Sequence, residues 1–235
     1  MLKKIILSKN AKITLFILLN SLCMALFANF NLSSVKKEDI LKQAPNLKYK
    51  VLDLALREYD NARSKNLTNK PIITIIDYSI PSNKDRLWVI DLDNNKVLEN
   101  TLVAHGQGSG TPLNATYFSN DPGSKASSLG TFITGETYKG KHGLSLRLNG
   151  IMKNYNDKAY ERTVVLHSAQ YVSESFANAH GFIGRSWGCP AVAPNKSKEI
   201  ISLIKDKTVV FSYYPGQGLS QESSLLSKIS DSSLL

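Results

Sequence analysis

One segment limits what this chain can become more than any other: His180-Gly-Phe-Ile-Gly-Arg-Ser-Trp-Gly-Cys189-Pro-Ala-Val192. Glycines at 181, 184 and 188, with Pro190 after them, oppose a regular helix, because Gly loses most backbone entropy and Pro lacks an N–H. The segment predicts a tight loop that gathers backbone N–H groups and one thiol at a single point. The only other cysteine, Cys23, lies in an N-terminal stretch of a different kind. There Lys3, Lys4, Lys9 and Lys12 precede an apolar run over 13–27 and then Ala28, the charge-then-apolar order of an export signal. The run is short for a membrane span and is interrupted by Asn20 and Ser21.

Residues 1–28 are therefore expected to be a signal peptide or a membrane anchor. A buried core helix is the competing structural reading. The bulky Leu26, three positions before the end of the segment, keeps the uncleaved anchor open. The expected location is outside the cytoplasm, in the periplasm or cell envelope. If Cys23 leaves with the signal, Cys189 stands alone in an oxidising compartment. There an unpaired thiol is buried, joined to another chain, or reactive.

Charge narrows the partners. The full chain carries +10, and loss of the four lysines in 1–28 leaves +6. Moderate basicity suits an anionic envelope polymer or a membrane surface. It also suits nucleic acid, but no zinc-finger spacing or aromatic-basic platform is present, so no nucleic-acid partner is expected.

The pattern over 35–66 is helical, with Leu47, Val51, Leu54, Ala55 and Tyr59 recurring every three or four residues. Pro45-Asn46 is expected to start the main helix, with a short helical turn before it. From Pro71 the pattern changes to β-branched runs and period two. Strands are predicted at 72–76, at 86–92 and 96–104 as a hairpin, and near 115–119, 130–134, 144–148, 163–167 and 208–214. Asn195 is placed to cap a short helix carrying Ile200, Ile201 and Ile204. Residues 216–235 drift to Ser, Gln and Gly and are expected to be a disordered tail. The resulting divisions are 1–28, a helical segment 29–69, a mostly β domain 70–215 and the tail.

All four histidines, His105, His142, His167 and His180, fall in the β-rich body. His167 ends the strand Thr-Val-Val-Leu-His, 22 residues before Cys189. A Cys–His pair is the minimum for thiol nucleophilic catalysis: the imidazole takes the proton and the thiolate attacks. Both residues have a plain structural alternative, as a satisfied core histidine and a buried inert thiol. The N–H groups of Gly188 and Cys189 could together face an oxyanion. Arg185 could hold a carboxylate, or could be a solvated surface residue. No CxxC, HxxxH or HExxH is present, so no metal and no cofactor are expected. The run Gly106-Gln-Gly-Ser-Gly110 matches a phosphate loop only in composition and is expected to be a flexible loop, with His105 beside the cleft.

Val165-Leu-His167-Ser168 followed by Gly184-Arg-Ser-Trp-Gly-Cys-Pro-Ala-Val192 resembles the murein L,D-transpeptidase catalytic domain (YkuD-like), in the branch reading Gly-Arg-Ser-x-Gly-Cys-Pro-Ala. Ala104-His-Gly-Gln-Gly-Ser109, Tyr117-Phe-Ser-Asn120, Ser127-Ser-Leu-Gly130 and the stretch 137–147 extend the resemblance over roughly 70–214. The resemblance implies a β-rich fold, a β-sandwich or mixed sheet, with a helical brace before it and a short helix after the catalytic loop. It also implies a cysteine nucleophile whose histidine partner is oriented by a backbone carbonyl. Carried over, Cys189 is the nucleophile, His167 the base, Ser168 the carbonyl donor and Gly188 an oxyanion N–H. Arg185, Ser186, Trp187 and His105 are expected to contact substrate.

The implied substrates are peptidoglycan stem peptides, a tetrapeptide donor that loses D-alanine and an amine acceptor. Hydrolysis by the same acyl-enzyme, an L,D-carboxypeptidase activity, is the alternative enzyme. A non-catalytic murein-binding protein is the alternative outside catalysis. The chain departs from the better-known branch at Trp187, where that branch has His. It also has Ala191 where that branch has Arg, a role Arg185 is expected to fill.

Overall fold

In this computed structural model, residues 31–216 are described, so the apolar run over 13–27 and the tail from 217 lie outside the described residues. Among the described residues no helix is long and apolar enough to cross a membrane. The first elements are helical: α1 (Lys37–Gln43) and α2 (Tyr49–Ser64). Pro45 and Asn46 sit in the turn between them, so the main helix starts later than the Pro-Asn pair suggested. Val51, Leu52, Ala55, Leu56, Tyr59 and Ala62 bury one face of α2, while Leu54 is only half-buried.

Eight strands follow. They are β1 (Ile72–Asp77), β2 (Leu87–Asp91), β3 (Lys96–Thr101), β4 (Gly130–Gly140), β5 (Gly143–Gly150), β6 (Val165–Ser168), β7 (Ala191–Val192) and β8 (Val209–Tyr213). Two more helices, α3 (Glu174–His180) and α4 (Pro194–Ile204), flank β7. The strands form one sheet in the order β3-β2-β1-β8-β4-β5-β6-β7. The β1–β8 and β6–β7 pairs are parallel and the others antiparallel.

The β-branched runs explain why the central strands are buried on both faces. Ile76, Leu87, Val89, Phe132, Leu146, Leu166 and Val210 point into one core with Ile200, Ile201 and Ile204 of α4. The alternate residues, among them Ile73, Ile75, Trp88, Ile90 and Phe211, are also buried and point to the other face, over which α2 lies against β1 and β8. A smaller cluster of Leu102, Ala104, Ala169, Val172, Ile183 and Ala191 packs under α3.

The sheet rolls toward closure. The chain leaving β3 crosses to the far edge, where the Ala104 N–H donates to the Ala191 carbonyl at 2.8 Å. That seam brings residues 104–110 alongside the Gly-rich loop.

Three local expectations fail for identifiable reasons. Residues 115–119 form no strand, because the Thr116 and Tyr117 amides both donate to the Ser109 carbonyl and hold the segment as a loop. Asn195 does not cap α4, because Pro194 takes the first helical turn and Ala193 the cap position. Helix α3 falls in a stretch given no element. It is capped by the Ser173 hydroxyl, which accepts from the Phe176 amide at 3.1 Å, and it ends at Gly181 in the left-handed region.

The segment between β5 and β6 carries Glu161, Arg162, Thr163 and Val164 to the site, and Asn156 fixes it. Its buried amide donates to the carbonyls of Leu129 and Thr131 at 2.9 Å each, and its carbonyl oxygen accepts from the Met152 amide at 2.9 Å. Asn156→Ala should cost about 2–3 kcal/mol in urea unfolding, since it removes three hydrogen bonds from a buried site. A loss below about 0.5 kcal/mol would show that this anchor is dispensable.

Candidate active site

His167 is the penultimate residue of β6, one before Ser168, and its ring is largely buried. Nδ1 lies 2.9 Å from the Ser168 carbonyl oxygen. A carbonyl only accepts, so Nδ1 carries the proton and Nε2 keeps its lone pair. Burial pushes the His167 pKa below its ordinary value. The Ser168 carbonyl works against that shift, while His142 and Lys141 add to it. The imidazole is thus neutral near pH 7. His142, at the tip of the β4–β5 hairpin, stacks on His167 with ring centres 4.5 Å apart. The Ser168 hydroxyl donates to the His142 carbonyl at 2.8 Å, tying that tip to β6.

The parallel β6–β7 register sets His167 opposite Ala191, so Cys189 lies two residues before the position level with the histidine. Both side chains line one cleft of about 930 Å³. The thiol donates to the Thr163 carbonyl at 3.8 Å, and among the described residues no hydrogen bond joins it to the imidazole. Burial raises the Cys189 pKa above its ordinary 9.0, opposed by the Val165 amide and the charge of Arg162. The resting pair is therefore a neutral thiol and a neutral imidazole. A separate hollow of about 650 Å³ beside the start of β4 contains neither Cys189 nor any histidine.

The loop before Cys189 is internally braced. The Ser186 hydroxyl donates to the Cys189 carbonyl at 2.6 Å and accepts from the Gly188 amide at 3.1 Å. The Gly188 N–H is therefore occupied, contrary to its expected oxyanion role, whereas the Cys189 N–H has no partner among the described residues. Ser186 is a buried brace whose hydroxyl already has its partners. Trp187 is 68% exposed at the mouth of the cleft, with the ammonium groups of Lys125 and Lys141 at 4.9 and 5.8 Å from its ring centre. Arg185 also lines the cleft, but its Nη1 donates to the carbonyls of Gln107 and Gly110 at 3.2 and 2.5 Å.

His105 does not face the cleft. It is fully buried, with Nδ1 accepting from Arg86 Nη2 and Nε2 donating to the Thr111 carbonyl, each at 2.8 Å. Its expected contact with substrate is corrected to a structural one: its backbone carbonyl accepts from the Ser186 amide at 2.9 Å. His180 is exposed at the end of α3, stacked on Phe176 with ring centres 4.1 Å apart, and lies outside the cleft. Among the described residues no group of three or more His, Cys, Asp or Glu is placed to hold a metal ion.

Sequence reasoning missed Arg162 and Thr163. Thr163, whose carbonyl meets the thiol, has φ of +54°, a strained value for a β-branched residue. Arg162 lines the cleft from the same turn. The one signal in the sequence was a charged pair, Glu161-Arg162, set directly before an apolar strand.

Burial and the neighbouring Arg86 charge hold the His105 pKa down at about 4, against an ordinary 6.5. The unfolded chain thus binds a proton between those values that the fold refuses. The linked stability is complete above pH 6.5 and is lost as pH falls toward 4, by about 3 kcal/mol. Urea midpoints of His105→Gln should depend less on pH across this window than those of the unaltered chain. Identical acid losses in the two proteins would remove His105 as the cause.

The L,D-transpeptidase catalytic domain family model matches residues 43–213. No curated protein sequence matches the chain. Among solved structures, the L,D-transpeptidase from Mycobacterium smegmatis is 12% identical with a TM-score of 0.37, covering 61% of this chain and 59% of that one. The helical cell shape determining protein Pgp2 from Campylobacter jejuni is 15% identical with a TM-score of 0.41, over 74% and 61% of the two chains. An L,D-transpeptidase from Stackebrandtia nassauensis is 17% identical with a TM-score of 0.36, over 71% and 68%. This chain spans 59% of the length of the Mycobacterium smegmatis structure.

Proposed function

Because the chain belongs to the L,D-transpeptidase catalytic-domain family, we propose that it is an exported cysteine acyltransferase acting on peptidoglycan stem peptides. Cys189 is the nucleophile and His167 its base. The observation that carries this reading is the shared cleft: it holds the thiol and His167, whose tautomer the Ser168 carbonyl fixes so that Nε2 keeps its lone pair.

The chemistry follows from the resting protonation states. As a donor tetrapeptide stem enters, the thiol leaves the Thr163 carbonyl and gives its proton to His167 Nε2. Apo contacts of this kind are often loose and tighten only with substrate. The sulfur then bonds to the carbonyl carbon of the L-centre of the third residue, and the carbonyl π electrons move to oxygen. The Cys189 amide faces that oxyanion, in place of the occupied Gly188 amide. Collapse of the intermediate breaks the C–N bond, and the D-alanine amine departs with the proton from His167. An acceptor amine, or water, then attacks the thioester, loses its proton to His167 and frees the thiol.

The N-terminal segment over 1–28 serves as the export signal or inner-membrane tether, and the substrate polymer supplies the partner. Trp187 and Arg185, at the cleft mouth, contact the stem or its acceptor.

Two measurements test this. Purified sacculi incubated with the protein should yield new 3→3 cross-linked muropeptides by mass spectrometry, or D-amino-acid-exchanged ones when D-amino acid is added, and Cys189→Ala should abolish them. Tripeptide stems without cross-links would mean that water is the acceptor. An unchanged muropeptide profile with folded protein would reject the assignment. The pH profile of kcat/KM should be bell-shaped, with the acid limb below 6.5 and the alkaline limb above 9.0, since burial lowers the His167 pKa and raises that of Cys189. An acid limb above 6.5 would contradict His167 as the neutral base.

A further inference from the structure

The Cys189 thiol is desolvated, yet the reaction proposed for it passes through an anion at sulfur. Arg162 is the cation built against that position. It directly precedes Thr163, whose carbonyl receives the thiol. A Cβ placed on Gly188 would lie 3.3 Å from Arg162 Nη2, which puts the guanidinium against the backbone leading into the cysteine. Four of its five N–H donors are already used. Nη1 donates to the Ser119 carbonyl at 2.6 Å and to the Ser128 hydroxyl, and Nη2 donates to the Ala126 carbonyl at 2.7 Å and the Ser124 hydroxyl at 3.3 Å. None of these four partners is a carboxylate.

A guanidinium held this way cannot swing into the cleft as a substrate clamp. What it keeps is a full positive charge, half-buried and locked in direction. We infer that Arg162 is a positioning residue whose fixed charge stabilises the Cys189 thiolate as the proton passes to His167. This rests on the reading of Cys189 as nucleophile and adds to it a residue that the sequence did not single out.

The electrostatic coupling runs both ways, since Cys189 favours the charged form of Arg162 and Arg162 favours the thiolate. The other charged or titratable groups around the cysteine come from several elements. From β6 comes His167, and from the β4–β5 tip come His142 and Lys141. Tyr171 and Tyr78 also feel the cysteine charge, and both stay protonated well above neutral pH. Glu161, Arg185 and Lys125 line the cleft, and Asp121 is the acid that acts on Arg162 itself.

The test is the pH dependence of iodoacetamide alkylation of the full chain, read by mass spectrometry on the Cys189 peptide so that Cys23 does not contribute. In Arg162→Gln, which keeps amide donors but removes the charge, the midpoint should rise by about one unit, with alkylation at pH 7 roughly tenfold slower. In Arg162→Lys, which keeps the charge, the midpoint should stay near that of the unaltered chain. A folded Arg162→Gln with an unshifted midpoint overturns the inference and leaves Arg162 as a loop staple. If Arg162→Gln loses its near-ultraviolet circular dichroism, Arg162→Lys decides, and a folded lysine variant displaced by a full unit also overturns it. No alkylation of the unaltered chain at any pH would instead remove the nucleophile, which is a separate failure.

Discussion

Everything at the site depends on a short backbone seam between residues 104–107 and 186–191. The Ala104 amide donates to the Ala191 carbonyl, the Ser186 amide to the His105 carbonyl, and the Gln107 amide to the Ser186 carbonyl, all at 2.8–2.9 Å. Each such bond is worth about 1 kcal/mol net. The geometric effect is larger than that sum, because the seam joins the two ends of an open eight-stranded sheet. Strand β7 has only two residues, and without the seam it would be a frayed edge carrying the cysteine loop on one side. With the seam, β7 is paired on both sides, by His167 and Ser168 of β6 and by Ala104. The histidine and the cysteine then share one rigid floor.

The seam explains the glycines better than ligand binding does. A Cβ on Gly106 would lie 2.2 Å from the Lys125 carbonyl and 2.8 Å from the Gly188 Cα. One on Gly188, where φ is +115°, would lie 2.6 Å from the Ala126 carbonyl. Three backbone segments, near 106, 125 and 188, are therefore stacked in direct contact. The buried Ser127 hydroxyl ties them further, accepting from the Gly106 amide at 3.0 Å and donating to the Gly188 carbonyl at 3.2 Å. The run over 106–110 looked like a phosphate loop in composition because both structures need a backbone free of Cβ atoms. Here the close neighbour is protein.

That distinction marks what the sequence could disclose. Period-two and β-branched runs located seven of the eight strands, all but β7, because burial of β-branched residues is a local pattern. That Cys189 and His167 would line the same cleft was legible because a strand end and a glycine-bracketed loop each point to a site. The segment over 115–119 misled, since its alternation is satisfied in a loop pinned to the Ser109 carbonyl. His105 misled in the opposite way. A histidine beside a glycine loop suggested the cleft, but its partner is Arg86, a buried guanidinium 19 residues upstream that no spacing rule connects to it. Arg162 was invisible for a related reason, as its role depends on carbonyls and hydroxyls over 119–128 that only the fold brings near.

Two guanidiniums, one buried and one half-buried, divide the electrostatic work. Arg86 faces the Ile80 and Val103 carbonyls and the His105 ring, and burial together with this charge keeps that histidine neutral under the loop. Arg162 is only half-buried and faces the cysteine. Desolvation of the thiol outweighs the combined help of Arg162 and the Val165 amide, so the resting sulfur stays protonated. This balance would suit a thiol in the envelope location proposed for the chain, because the thiolate is the form that oxidants attack. In the proposed mechanism, a fixed cation that lowers the energy of the anion, without being strong enough to generate it at rest, would leave the trigger to the histidine and the incoming substrate. Had the guanidinium pointed freely into the cleft, solvent and substrate carboxylates would have competed for it. Its four bonds to uncharged oxygens prevent that competition.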